Sequence, residues 1–351
     1  MTVVTTHPMH DSERNGKVLT DNQAQGFRQT FEALVGSVAK VVVGKDDVIR
    51  LAFTCLLSDG HLLLEDVPGT GKTLLARTVA AAVGGSNSRI QFTPDLLPSD
   101  VTGVMTYDQR RNDFEFKRGP IFHSIVLADE INRASPKTQA ALLEAMEEQH
   151  VTDSDGKRHD LPEPFMVIAT QNPVEQSGTY PLPEAQLDRF LMKTSLGYPS
   201  HEVTVALLAD AANRRRDAGV QPVIAPEQAQ PREWVKQLRE WADAVTVRRE
   251  LLELVSRIAA EARPRHDGAG HKHVRLGVST RGALGLVRAA KTWAIAHGRV
   301  HVETDDIVAL LEPVLGHRIL LTDEAIFEEL TPAHVLADVK NKLNLPHRRG
   351  Y

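Results

Sequence analysis

Five short apolar runs punctuate the first 200 residues of the chain, at positions 61–64, 89–92, 124–128, 165–169 and 190–194, with helix-like stretches between them. Each run is leucine-rich or β-branched and is bounded by turn residues, as buried strands are. The clearest helix between them opens at Ser135-Pro136. The serine suits a cap, the proline suits the first helical position, and Ala140, Leu143 and Met146 follow at helical spacing. Strands that alternate with helices predict a parallel sheet with helices on both faces. Such a sheet gathers ligands at the carboxyl ends of its strands. The residues that follow each run are therefore the ones to read for chemistry.

The first run leads into Asp66-Val67-Pro68-Gly69-Thr70-Gly71-Lys72-Thr73, and Leu74 continues into a helix. Successive backbone N–H groups in a loop of this kind point inward and cradle phosphate oxygens. Gly69 and Gly71 give the backbone close approach and positive φ. Lys72 is placed to reach the β- and γ-phosphates, and the Thr73 hydroxyl to hold Mg²⁺. One departure stands out, because the strict phosphate-loop pattern has glycine where this chain has Asp66. The third run ends in Asp129 and Glu130. The first acid is expected to hold the magnesium through water and the second to polarise a water for in-line attack. The fourth run is followed by Thr170 and Asn172, polar residues expected to orient that water or touch the γ-phosphate.

Beyond residue 200 strand-like runs vanish, and helical patterns occupy 232–242, 249–261, 280–297 and 304–311. The stretch 219–231 holds three prolines and reads as a connection. The expected organisation is a polar leader over 1–24, an α/β core over 25–200, a linker over 201–231 and an all-α domain over 232–351. Composition narrows the classes further. With 42% apolar and 25% charged residues the chain is globular, and a net charge of −5 argues against a nucleic-acid clamp. No apolar stretch reaches the ~18–20 residues of a membrane span, and the first residues lack a secretory apolar region. A single cysteine, Cys55, excludes an intramolecular disulfide and lies in an apolar run, as a core residue of a reduced, cytoplasmic protein does. His266, His271 and His273 cluster in a glycine-containing loop without a firm fourth ligand, and we read them as loop residues. Trp234, Trp241 and Trp293 fall in helical patterns and read as core.

Taken together, the motifs resemble those of AAA+ ATPases, and more narrowly of the MoxR family, over roughly residues 25–345. The most specific segment runs from Ala128 through Asp129, Glu130, Ile131, Asn132 and Arg133 to Glu148. The loop beginning at Glu65 is similar to the family's own, including the aspartate at position 66. The resemblance implies an AAA+ core with a five-stranded parallel sheet, then a helical lid, binding ATP and Mg²⁺. It implies that Val43 and Gly44 line the adenine pocket, that Asn172 is the sensor-1 residue, that Arg189 is an arginine finger reaching a neighbouring subunit, and that Arg281 is sensor 2. Residues 101–116 and 149–159 read as hairpins, with turns at Arg111-Asn112-Asp113 and Asp155-Gly156, and resemble the family's helix-2 insert and pre-sensor-1 hairpin. The activity implied is ATP-driven remodelling or maturation of a protein partner, including von Willebrand A domain proteins, by a homo-oligomeric, hexameric ring. A chelatase-like motor subunit and a nucleotide-gated scaffold with little turnover are the alternatives. The stretch 92–99 does not spell the aromatic–hydrophobic–glycine pore loop of threading unfoldases.

Overall fold

In the computed structural model, residues 19–172, 179–212, 231–266 and 269–346 are described. The five apolar runs form one sheet: β1 (Leu62–Glu65), β2 (Asn87–Gln91), β3 (Ile125–Asp129), β4 (Met166–Gln171) and β5 (Met192–Thr194). Their spatial order is β2-β3-β4-β1-β5, and every pairing is parallel. Alternate side chains along a strand face opposite ways. Leu62 and Leu64, Ile125 and Leu127, and Met166 and Ile168 enter one apolar cluster, while Leu63, Val126, Val167 and Ala169 enter another. Both faces are covered, which is why the strands read as continuous apolar runs and not as alternating ones.

Helices α1 (Asp21–Ala39), α2 (Asp46–Leu57) and α3 (Lys72–Ala82) supply the first cluster, and Cys55 is buried in it. Helix α4 (Pro136–Glu148) supplies the second through Leu142, Leu143 and Met146, and the Ser135 side chain caps it by accepting from the Thr138 N–H. Helix α1 starts at Asp21, ahead of the core boundary expected at residue 25. Thr20 and Gln23 form a reciprocal capping box that fixes the start. Of the leader expected over residues 1–24, residues 1–18 lie outside the described residues.

The expected linker opens as a helix, His201–Ala212, and its proline-rich part lies outside the described residues up to Pro231. The second part of the chain comprises α5 (Pro231–Asp243), α6 (Arg249–Glu261), α7 (Thr280–Ala296), α8 (Thr304–Leu315) and α9 (Pro332–Lys342). It is not purely helical, because Val274–Leu276 pairs antiparallel with Leu320–Leu321. Helix α8 also runs past residue 311 to Leu315, with Pro313 inside its last turn. Trp234 and Trp293 are buried and Trp241 is partly buried. His271 pairs with Asp338 at 3.2 Å.

These helices share the first apolar cluster with α1 to α3, so lid and core are welded along one face. Ser58 of the core and Thr292 of α7 are hydrogen-bonded at 2.8 Å within that weld. Two hairpins lie outside the sheet as expected, one pairing Gly103–Asp108 with Asp113–Arg118 and the other pairing His150–Thr152 with Arg158–Asp160. No helix among the described residues is long and apolar enough to cross a membrane.

Candidate active site

The phosphate-loop sequence leaves the carboxyl end of β1 and turns into α3 at Lys72. Gly69 and Gly71 have φ of +85° and +97°, the left-handed region where a side chain is strained. A Cβ at either position would meet no neighbour within 4 Å, so backbone conformation and not crowding requires glycine. The buried Lys72 ammonium donates to the Asp66 and Val67 carbonyls at 3.2 and 3.3 Å. Asp66 explains its own departure from the common pattern. It is 4% exposed, and its carboxylate accepts from the Leu196 N–H at 2.6 Å and from the Gly197 N–H and the Ser195 hydroxyl at 2.8 Å each. The loop is thereby tied to the chain leaving β5. Thr73 is exposed on this turn, Thr70 is half-buried, and Leu74 is partly buried against the first apolar cluster.

Val43 is exposed, and Gly44, at φ +72°, packs its α-carbon side against Val203 of the helix His201–Ala212. Lys45 donates to the Tyr198 carbonyl at 2.9 Å. The segment expected to hold adenine thus sits beside the same stretch of chain that anchors Asp66.

Asp129 ends β3 and Glu130 follows at φ +56°, a strained value for a residue with a side chain. Thr170 is fully buried and ties both acids down. Its hydroxyl donates to Asp129 Oδ1 at 2.6 Å and accepts the Glu130 N–H at 2.8 Å. It therefore braces the acids and does not face a phosphate. Arg89 of β2 donates to Asp129 Oδ2 from Nε and Nη2 at 3.1 and 2.6 Å. Gln91 donates to Glu130 Oε2 at 2.8 Å, and Arg133 pairs with the same oxygen at 3.1 Å. Sequence spacing assigns no such role to Arg89, Gln91 or Arg133. The first two lie on one face of β2, opposite β3 in the register Gln91↔Asp129, and only the strand pairing shows it. Asn172 is buried just past β4, whose Gln171 carbonyl accepts the Asp66 N–H at 3.1 Å.

Neighbouring strands lie about 4.8 Å apart. The carboxyl ends of the adjacent strands β1, β4 and β3 therefore carry Lys72, Asn172, Asp129 and Glu130 at one end of the sheet. Asp129 and Thr73 are hard oxygen donors of the kind magnesium takes. Asp129 already draws a cation, the Arg89 guanidinium. The residues fit Mg²⁺ and a triphosphate.

Arg189 and Arg281 lie elsewhere. Both line a cavity of about 180 Å³ together with Gly60, His61 and Glu147, at the amino end of β1. From His61 to Asp66 the strand spans about 16 Å at its usual rise. The arginines thus flank the end of the sheet opposite this subunit's own phosphate loop. Arg189 pairs with Glu147 at 2.8 Å, not with Asp188 or Glu184 beside it in sequence. Arg281 donates to the other Glu147 oxygen at 2.8 Å. Asp188 instead accepts from Arg318 Nε at 2.6 Å and from the Ser279 hydroxyl at 2.8 Å, which joins the core to the lid. Burial and the neighbouring cations Arg281 and Arg288 hold the Arg318 guanidinium below its usual pKa, against the pull of Asp188.

Comparison with known proteins gives the following. The family of ATPases associated with various cellular activities (AAA) matches residues 61–192, and the AAA lid domain matches residues 268–339. The chain is 45% identical over 328 residues to the uncharacterized protein YeaC of Bacillus subtilis, spanning 92% of this chain and 98% of that protein. It is 41% identical over 320 residues to chaperone MoxR1 of Mycobacterium tuberculosis, spanning 90% and 82%. A crystal structure of a Cytophaga hutchinsonii protein assigned as an ATPase superimposes with a TM-score of 0.84 at 37% identity, covering 93% of this chain and 98% of that one.

Proposed function

The chain belongs to the MoxR family of AAA+ ATPases, and from that premise we propose that it hydrolyses ATP with Mg²⁺ in a ring of identical subunits and uses the cycle to remodel a protein partner. The observation that carries this reading is the split of the site. Lys72, Asp129, Glu130 and Asn172 share one end of the sheet, and Arg189 and Arg281 occupy the other. An arrangement of this kind is complete only where two subunits meet.

In this reading the backbone of Gly69 to Lys72 and the Lys72 ammonium bind the β- and γ-phosphates. Thr73, and Asp129 through water, would hold Mg²⁺, which neutralises phosphate charge when bound. Glu130, fixed by Gln91, Arg133 and Thr170, takes the proton of the attacking water, and Asn172 orients that water. Val43 and Gly44 receive the base. Arg189 and Arg281 approach the γ-phosphate of the next subunit and stabilise the charge that develops there. The partner is a protein, and a von Willebrand A domain is the candidate the family resemblance supplies. The hairpin that exposes Val104, Tyr107 and Phe114 is the surface we assign to it.

Binding and chemistry separate cleanly in two variants. Lys72→Ala should lose ATP affinity in titration calorimetry and turnover with it. Glu130→Gln keeps shape but loses basicity, so it should bind ATP normally while phosphate release falls roughly 10²-fold or more. Equal turnover in Glu130→Gln and the parent would remove Glu130 from the mechanism and favour a nucleotide-gated scaffold.

A further inference from the structure

Glu147 is the last but one residue of α4, and its carboxylate bridges the two arginines: Oε2 meets Arg189 Nε and Oε1 meets Arg281 Nη1, each at 2.8 Å. A carboxylate at this place is not explained by its own helix. The carboxyl end of a helix carries the negative end of the macrodipole, and Glu148 follows directly. Its charge makes sense through what it holds. Two guanidiniums side by side repel, and one carboxylate between them offsets that repulsion.

We propose that Glu147 is a positioning residue, which holds Arg189 of the core and Arg281 of the lid together so that both guanidiniums are presented as one unit to the neighbouring subunit's γ-phosphate. The inference rests on the reading that these arginines act across the subunit interface. A guanidinium carries five N–H donors in a fixed fork. Contact with Glu147 occupies one side of each and leaves donors for a phosphate. The segments that carry the two arginines are already joined. Asp188 precedes Arg189 and accepts from Ser279, the residue whose side chain caps α7 ahead of Arg281. What remains free is the side chain, and Glu147 removes that freedom. Helix α4, which carries it, begins shortly after Glu130, so one rigid element runs from the acid end of the sheet to the arginine end.

The test is steady-state turnover of the full-length assembled chain carrying Glu147→Gln, measured beside Arg189→Ala and Arg281→Ala. A displacement of about 1 Å in a catalytic group can cost about 10²-fold. Glu147→Gln should therefore lower kcat by roughly tenfold or more, with KM for ATP and the calorimetric affinity unchanged, because the subunit's own phosphate loop is untouched. Glu147→Asp keeps the charge but is one methylene shorter, and should fall between parent and Glu147→Gln. In the Arg189→Ala/Arg281→Ala background, adding Glu147→Gln should change nothing further. Parental or higher kcat in Glu147→Gln while the arginine variants are slow would overturn the inference, as would a further loss in the double-arginine background. Parental turnover in both arginine variants would instead overturn the reading on which it rests.

Discussion

Asp66 replaces a glycine of the common phosphate loop without loosening the loop. The side chain points away from the phosphate cradle and into the chain after β5, where the Leu196 and Gly197 N–H groups and the Ser195 hydroxyl converge on it. Removing a buried acceptor leaves its donors unsatisfied, at about 1–3 kcal/mol for each such group. Asp66→Ala should therefore destabilise the protein by about 2–4 kcal/mol in urea unfolding and weaken ATP binding, because the loop loses its tether to 195–197. Unchanged stability would mean that the tether is not what positions the loop. The same logic applies to Glu130, whose positive φ persists because Thr170, Gln91 and Arg133 each hold it. The strain sits at the residue assigned to the water, which is where such strain is expected to be retained.

At the scale of elements, the start of β1 is pinned by His61, and this pin is sensitive to acid. Its Nδ1 accepts the Val167 N–H at 3.0 Å, so Nε2 carries the proton and donates to the Met146 carbonyl at 3.2 Å. Burial pushes the imidazole down to about 4, against a smaller opposing effect of the Met146 carbonyl and Asp59. The neutral form is the folded form. Below about pH 6.5 the unfolded chain binds a proton that the folded chain resists, so stability is full above that value and falls as pH drops toward 4. The loss from this residue reaches about 3 kcal/mol at pH 4, and His317, also pushed down by burial, acts in the same sense. Urea unfolding at pH 7 and pH 4.5 should show the drop, and His61→Gln should shrink it. An equal drop in the variant would assign the acid sensitivity elsewhere. The elements themselves were largely legible. Apolar runs, the Ser135-Pro136 start and the Asp155-Gly156 turn each have a local cause. What escaped was long-range: Arg89 on Asp129, and Glu147 on Arg189 and Arg281, join residues far apart in sequence whose spacing carries no signal until the strands are paired. Thr170 was visible as a polar strand end, but its brace on both acids follows from the β3–β4 pairing.

At the scale of the whole molecule, the lid is neither tethered loosely nor laid over the phosphate loop. It shares one apolar cluster with α1 to α3, and Arg318 reaches into the core to Asp188 and to the Phe190 carbonyl at 2.6 and 2.7 Å. Core and lid are thus joined at the place that carries Arg189 and Arg281, and among the described residues those arginines lie at the end of the sheet opposite Lys72. The proposed function uses them through completion by a neighbour. A finger supplied in trans is worth roughly 10³–10⁵ in rate, so Arg189→Ala should bind ATP and hydrolyse it poorly. Lys72→Ala should fail for the opposite reason, having an intact finger and no phosphate grip. Each variant lacks one half of a composite site. In a ring assembled from both, an Arg189→Ala subunit offers its phosphate loop to the finger of an adjacent Lys72→Ala subunit, and complete sites reappear. Mixing the two inactive proteins should therefore restore a fraction of parental phosphate release that rises and falls with the mixing ratio and peaks near equal amounts. Subunit exchange is checked by labelling one variant and recovering the other with it. Full parental turnover by Arg189→Ala alone would remove the finger, and with it the physical reason to propose that activity requires an assembly.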